Sequence, residues 1–228
     1  MKKQILLMAT LLVSAIANAQ TDVNIEKLWG ITGAPVEINE PMTVKEGVAF
    51  IGDTRTPEKI AEDGKYKGMK VQKQKRFFKQ GVMNIQFGNA LSFRGAASGI
   101  SKDKVVDVNA VPRSRMIQVK PLSGGKLFIF AAGQKEEVKH LYVGIRNEAT
   151  FKNLATLEYV KDADITGKKD APYAVQFVDY NFTEGDEFWI YSEGGINLYG
   201  LTFDGKLDNA FAGSDPVAVS KAVKKARK

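Results

Sequence analysis

The chain has no cysteine and a single histidine, His140, among its 228 residues. The first absence removes disulfide staples, thiolate metal sites and a cysteine nucleophile, so a fold of this length must be held by packing. The second limits a histidine-dependent triad or multi-histidine metal site to one position. Neither Gly-x-Ser-x-Gly nor the phosphate-binding Gly-x-x-x-x-Gly-Lys-Ser/Thr occurs, and the pairs Gly124-Gly125 and Gly194-Gly195 read as turn glycines serving positive φ. Beyond residue 16 no stretch approaches the roughly 20 apolar residues that a membrane-spanning helix needs.

What is present begins with Lys2 and Lys3, an apolar run from Ile5 to Ile16 and the small-x-small triplet Ala17-Asn18-Ala19. This is the pattern of a secretory signal peptide over residues 1–19, which implies export to the periplasm, the medium or the cell surface. The organisation expected is a β-sandwich domain over 20–213 followed by a basic tail over 214–228. In the tail, Asp215 suits a helix cap, Pro216 the first helical position and the final cations the negative helix end, so a short C-terminal helix is expected there. The formal charge of +7 falls to about +5 once Lys2 and Lys3 are removed. A basic excess suits anionic glycans or envelope surfaces, while its scatter among strands and the export signal argue against nucleic acid.

Between these ends the sequence reads as short strands punctuated by Gly, Pro and Asn. In Val82 to Phe87, Met83, Ile85 and Phe87 alternate with Val82, Asn84 and Gln86, the period of a half-buried strand. Arg115 to Val119 and Lys126 to Gly133 flank Ser123-Gly124-Gly125 and read as a hairpin. A second hairpin is read from Glu187 to Tyr191 and Ile196 to Phe203, with apolar residues on both faces. Residues 53–81 read as a solvated, loop-rich basic face or, alternatively, as a basic contact surface carrying Tyr66, Phe77 and Phe78. Many short strands without a sustained helical period predict an all-β antiparallel sandwich.

Three stretches carry a resemblance: Arg115 to Val119 running into Gly124 to Ile129, the strand His140 to Val143, and Gly185 to Tyr191 leading to Gly194 to Leu201. Together they resemble the jelly-roll domain that accompanies secreted bacterial pectate lyases and related glycan-degrading enzymes. The resemblance implies a carbohydrate-binding sandwich; here no parallel β-helix follows it. Such jelly rolls often carry a calcium ion, for which Asp162, Asp164 and Asp170 offer oxygen ligands. Glycan recognition uses flat aromatic faces and a few polar groups. Trp29, Trp189 and Tyr191 are the candidate platforms, with Arg94, Arg115, Arg146 and Asn197 as polar partners. Carboxylates that could serve hydrolysis, among them Asp179, Asp186, Glu187 and Glu193, fall mostly in expected loops, and no enzymatic activity is expected. The sequence thus points to a secreted carbohydrate-binding module-like protein recognising a polysaccharide. The competing expectation is a structural or adhesive envelope protein that docks a protein partner through its sandwich and basic tail.

Overall fold

The computed structural model describes residues 20–80, 82–102, 105–147, 150–161, 173–181 and 183–208. The signal peptide, the C-terminal helix and the Asp162, Asp164 and Asp170 calcium ligands expected from the sequence lie outside these residues. The chain runs through β1 (Gln20–Asn24), α1 (Ile25–Trp29), β2 (Val36–Ile38), β3 (Thr43–Lys45), β4 (Val48–Ile51), α2 (Pro57–Asp63), β5 (Met69–Gln80) and β6 (Met83–Ser92). After β7 (Ser101–Lys102) and β8 (Val105–Val106) come β9 (Met116–Pro121), β10 (Gly125–Gly133), β11 (Lys139–Asn147) and β12 (Thr150–Tyr159). The described chain ends with β13 (Tyr173–Ala174), β14 (Gln176–Tyr180), β15 (Glu187–Ser192), β16 (Ile196–Asp204) and β17 (Leu207–Asp208).

Two sheets pack face to face. The larger, of eight strands, has the order β13-β5-β6-β16-β10-β14, with β1 beside β16 and β2 beside β5. The smaller, of seven, has the order β12-β11-β15-β9-β4-β3, with β17 beside β9. All pairings between described strands are antiparallel except β13 with β5. The main core lies between the sheets: Phe50, Ile117, Val143 and Ile190 from one meet Met69, Leu91, Ile129 and Leu198 from the other. Each is buried, as period-two side chains on facing sheets must be.

Both hairpins expected from the sequence are corners instead. β9 pairs with β15 and β4, whereas β10, only a few residues later, pairs with β16 and β14 in the opposite sheet. In the same way β15 belongs to the smaller sheet and β16 to the larger. At that second corner Gly194 (φ 102°) and Gly195 (φ 71°) take left-handed backbone, and a Cβ on Gly194 would stand 2.7 Å from Gly95 Cα. The expectation that β15 and β16 are covered on both faces is met, because each sheet also carries a hydrophobic cluster on its outer face.

The outer cluster of the larger sheet has a topological origin. β13 and β14 are separated only by Val175, yet β13 pairs with β5 at one edge while β14 pairs with β10 at the other. The sheet therefore curls until its two edges are neighbours, and encloses Phe78, Phe87, Ala90, Phe130, Ala132 and Tyr199 on its concave side. A bulge in β16 places both Leu198 and Gly200 next to successive β10 partners and leaves Tyr199 as the extra residue. Phe87 packs over Gly200, where a Cβ would meet its ring at 3.2 Å.

In the main core, Tyr159 is 6% exposed and its hydroxyl has no hydrogen-bond partner among the described residues. Burial pushes this phenol above its ordinary pKa. Removing an unpaired buried hydroxyl relieves its desolvation. Tyr159→Phe is expected to leave stability unchanged or to raise it by up to about 1 kcal/mol in urea denaturation. A loss larger than that would reveal a partner for the hydroxyl.

Candidate functional site

The seven residues singled out from the sequence separate into different environments. Trp29, at the end of α1, packs edge-on against Phe50 (centroids 5.2 Å apart) with Lys45 Nζ 5.0 Å from its ring. Trp189 is 5% exposed: Arg146 lies 4.9 Å from its ring, Phe151 packs beside it, and its Nε1 donates to Glu187 Oε2 at 3.1 Å. Tyr191 is fully buried, stacked on Tyr142 and donating to the Val108 carbonyl at 3.3 Å. The structure thus brings Arg146, Trp189 and Tyr191 together on the outer face of the smaller sheet. The aromatic faces there are already taken by protein, which leaves little open ring for a sugar.

Arg94 and Arg115 sit at the loop end of the sandwich, both with left-handed backbone (φ 56°). Arg94 pairs with Glu37. Arg115 donates through Nε to the Lys67 carbonyl (2.5 Å) and through Nη1 to the Ala96 carbonyl (2.8 Å), tying two loops together. Burial lowers its pKa, against the opposing charge of Asp53. His140 is half-buried, with Nδ1 2.9 Å from Glu193 Oε1, whose second oxygen accepts from the Tyr142 hydroxyl at 3.2 Å. Its backbone N–H also donates to Glu193, so this cluster fastens the corner between β15 and β16 to β11.

Asn197 belongs to the most distinctive polar arrangement. On β16 it stands opposite Ser92 of β6 and Ala132 of β10, on the concave side of the larger sheet. Its Nδ2 donates to Gln74 Oε1 at 2.6 Å, and Gln72 Nε2 donates to the same oxygen at 3.3 Å. Its Oδ1 accepts from Gln134 Nε2, which also reaches Ser92 Oγ at 3.1 Å. Five uncharged side chains from four segments thus form one continuous row. Asn197 and Ser92 are buried beneath it, Gln72 and Gln74 are half-exposed, and Gln134 is open to solvent. The aromatic cluster of Phe78, Phe87, Phe130 and Tyr199 lies alongside as a rigid floor.

Each amide offers donors and acceptors at once, and each hydroxyl does the same, so the row can exchange its internal bonds for bonds to a ligand rich in hydroxyls. No metal cluster of His, Asp and Glu forms among the described residues. Of this row, sequence reasoning found Asn197 alone. Gln72 and Gln74 lie in the segment read as a loop, Gln134 just after β10, and only the strand order joins them. Compared with known proteins, the chain matches no family model and is similar to no curated sequence.

Proposed function

We propose that the protein is an exported, non-enzymatic polysaccharide-binding protein whose ligand lies along the amide row of Gln72, Gln74 and Gln134, oriented from beneath by Asn197 and Ser92. The observation that carries this reading is the row itself: uncharged, two-way hydrogen-bonding groups lined up on the concave side of a sheet. Sugar hydroxyls present the same mixture of donors and acceptors.

Because the amides already satisfy one another, each exchanged hydrogen bond gains only about 1 kcal/mol. A single sugar is then held weakly, and useful affinity comes from several residues of one polymer laid along the row. The test is affinity electrophoresis and calorimetry of the purified protein against a panel of neutral and acidic polysaccharides. Gln74→Ala removes the oxygen that holds both Gln72 and Asn197, and is expected to weaken binding about tenfold, the equivalent of one or two such bonds. Binding by the wild type that Gln74→Ala leaves intact would move the ligand elsewhere. No binding to any glycan would overturn the proposal.

A further inference from the structure

The strand that supplies Gln72 and Gln74 has a second face. Even-numbered residues of β5 point to the concave side, while Met69 and Val71 point into the main core. The row begun by Met69 and Val71 continues as Lys73, Lys75, Phe77 and Lys79, and the three lysines are exposed. Lys75 Nζ lies 5.1 Å from the Phe77 ring, which fixes the two on the same side. Across the hairpin, Phe77 stands opposite Gln86 and Lys79 opposite Asn84, both exposed.

Among the described residues no ion pair neutralises Lys73, Lys75 or Lys79. From Gly64 to Lys102 the sequence contains no Asp or Glu, yet it contains Lys65, Lys67, Lys70, Lys73, Lys75, Arg76, Lys79, Arg94 and Lys102. That stretch alone outweighs the formal excess of +7 on the whole chain. Lys67 and Arg94 are paired, to Asp63 and Glu37. Glu26 of α1, packed beside β6, has its carboxylate engaged by the Gly88 N–H at 2.8 Å. Alternate residues on a strand stand about 7 Å apart, so the lysines form a line of positive charge about 20 Å long.

We infer that this lysine face binds a linear acidic polysaccharide, its carboxylates or sulfates meeting Lys73, Lys75 and Lys79 and its hydroxyls meeting Asn84 and Gln86. The inference rests on the polysaccharide-binding reading and names the class of polymer. Amides interleaved with the lysines in a single line suit a linear ligand carrying hydroxyls between its charges, whereas a phospholipid surface spreads its charges over a plane.

The experiment compares the wild type, Gln74→Ala and the triple variant Lys73→Gln, Lys75→Gln, Lys79→Gln. Polygalacturonate, a sulfated galactan, a neutral glucan, duplex DNA and anionic vesicles are the probes, at low and high salt. All three lysines are exposed, so the triple variant should melt with the wild type. The expected result is preference for the acidic polysaccharides, reduced about tenfold in the triple variant and by high salt, with neutral glucan binding unchanged by the three substitutions. Equal affinity for neutral and acidic polymers, or an unaffected triple variant, overturns the lysine face while leaving the amide row standing. Equal binding of DNA or vesicles overturns the choice of an acidic polysaccharide. If no polysaccharide binds, the polysaccharide reading falls and this inference with it.

Discussion

Replacing Asp53 by alanine should lower stability by about 4 kcal/mol, because it strips two backbone N–H groups and a partly exposed guanidinium of their common acceptor. Asp53 is 2% exposed and lies where the chain leaves β4 for α2. Its carboxylate accepts from Arg55 Nε (2.9 Å), Arg55 Nη2 (2.5 Å), the Arg55 N–H (3.2 Å) and the Lys67 N–H (2.6 Å). Arg55 reaches on to Asp63 and to the Lys65 carbonyl, so one carboxylate organises the whole excursion from residue 53 to residue 67. Without it, Arg55 and two backbone donors lose their acceptor in a partly dry site. At about 2–4 °C per kcal/mol for a domain of this size, the melting temperature should fall by about 8–16 °C.

The same group makes a pH prediction with a definite sign. Burial opposes ionisation of Asp53, but the Arg55 side chain and the Lys67 and Arg55 N–H groups outweigh it and hold the pKa at about 2. A folded pKa below the unfolded value contributes stability that is fully present above the unfolded value, near 4, and is lost as pH falls through about 2. A shift of this size corresponds to about 2 kcal/mol. The stability difference between wild type and Asp53→Asn, measured in denaturant from pH 6 down to 2, should therefore shrink across that window. A difference that is flat in pH would show that Asp53 is not held ionised by these contacts.

Phe78→Ala should cost about 4 kcal/mol as well, by a different route. Phe78 is fully buried in the concave cluster, with ring centroids 5.6 Å from Phe87, Phe130 and Tyr173 and 5.2 Å from Tyr199. These neighbours come from β6, β10, β13 and β16, so truncation opens a cavity where the curled sheet meets itself. Such a cavity collapses poorly because its walls are backbone ladders on several sides. Phe78→Leu should recover more than half of the loss in the same melts. The amide row lies beside this floor, and glycan affinity should fall in Phe78→Ala more than in Phe78→Leu. A loss below about 1 kcal/mol would mean that the cluster is not a rigid core.

Strand identity was readable where one face is apolar. Ile85 and Phe87 sit in the concave cluster while Asn84 and Gln86 are exposed, as the alternation in β6 predicts. The middle of β5, from Gln72 to Arg76, is polar on both faces, so no period shows and the segment reads as a loop. It is a strand because β6 pairs with it through a bulge and because Gln74 bonds Asn197 across the sheet. α2 did carry a local signal, Thr56 as cap with Pro57 behind it, inside a segment whose charge drew the attention. The two false hairpins have a deeper cause. A hairpin and a corner both need two apolar strands and a glycine turn, and which sheet each strand joins depends on partners far along the chain. The amide row was hidden for the same reason, since Gln74 and Asn197 are 123 residues apart.

The pairing of β1 with β16 bears on the order in which the molecule can assemble. Val23 lies against Leu201, and Thr21 Oγ1 bonds the Gly205 carbonyl across 184 residues. β16 also stands between β6 and β10 at the centre of the larger sheet, so neither the β5–β6 hairpin nor β10 can complete its ladder before β16 arrives. Loop closure over such distances is slow, and folding dominated by distant pairings is slow with it. A chain emerging from its N-terminus thus leaves Phe87 and Phe130 uncovered until β16 appears.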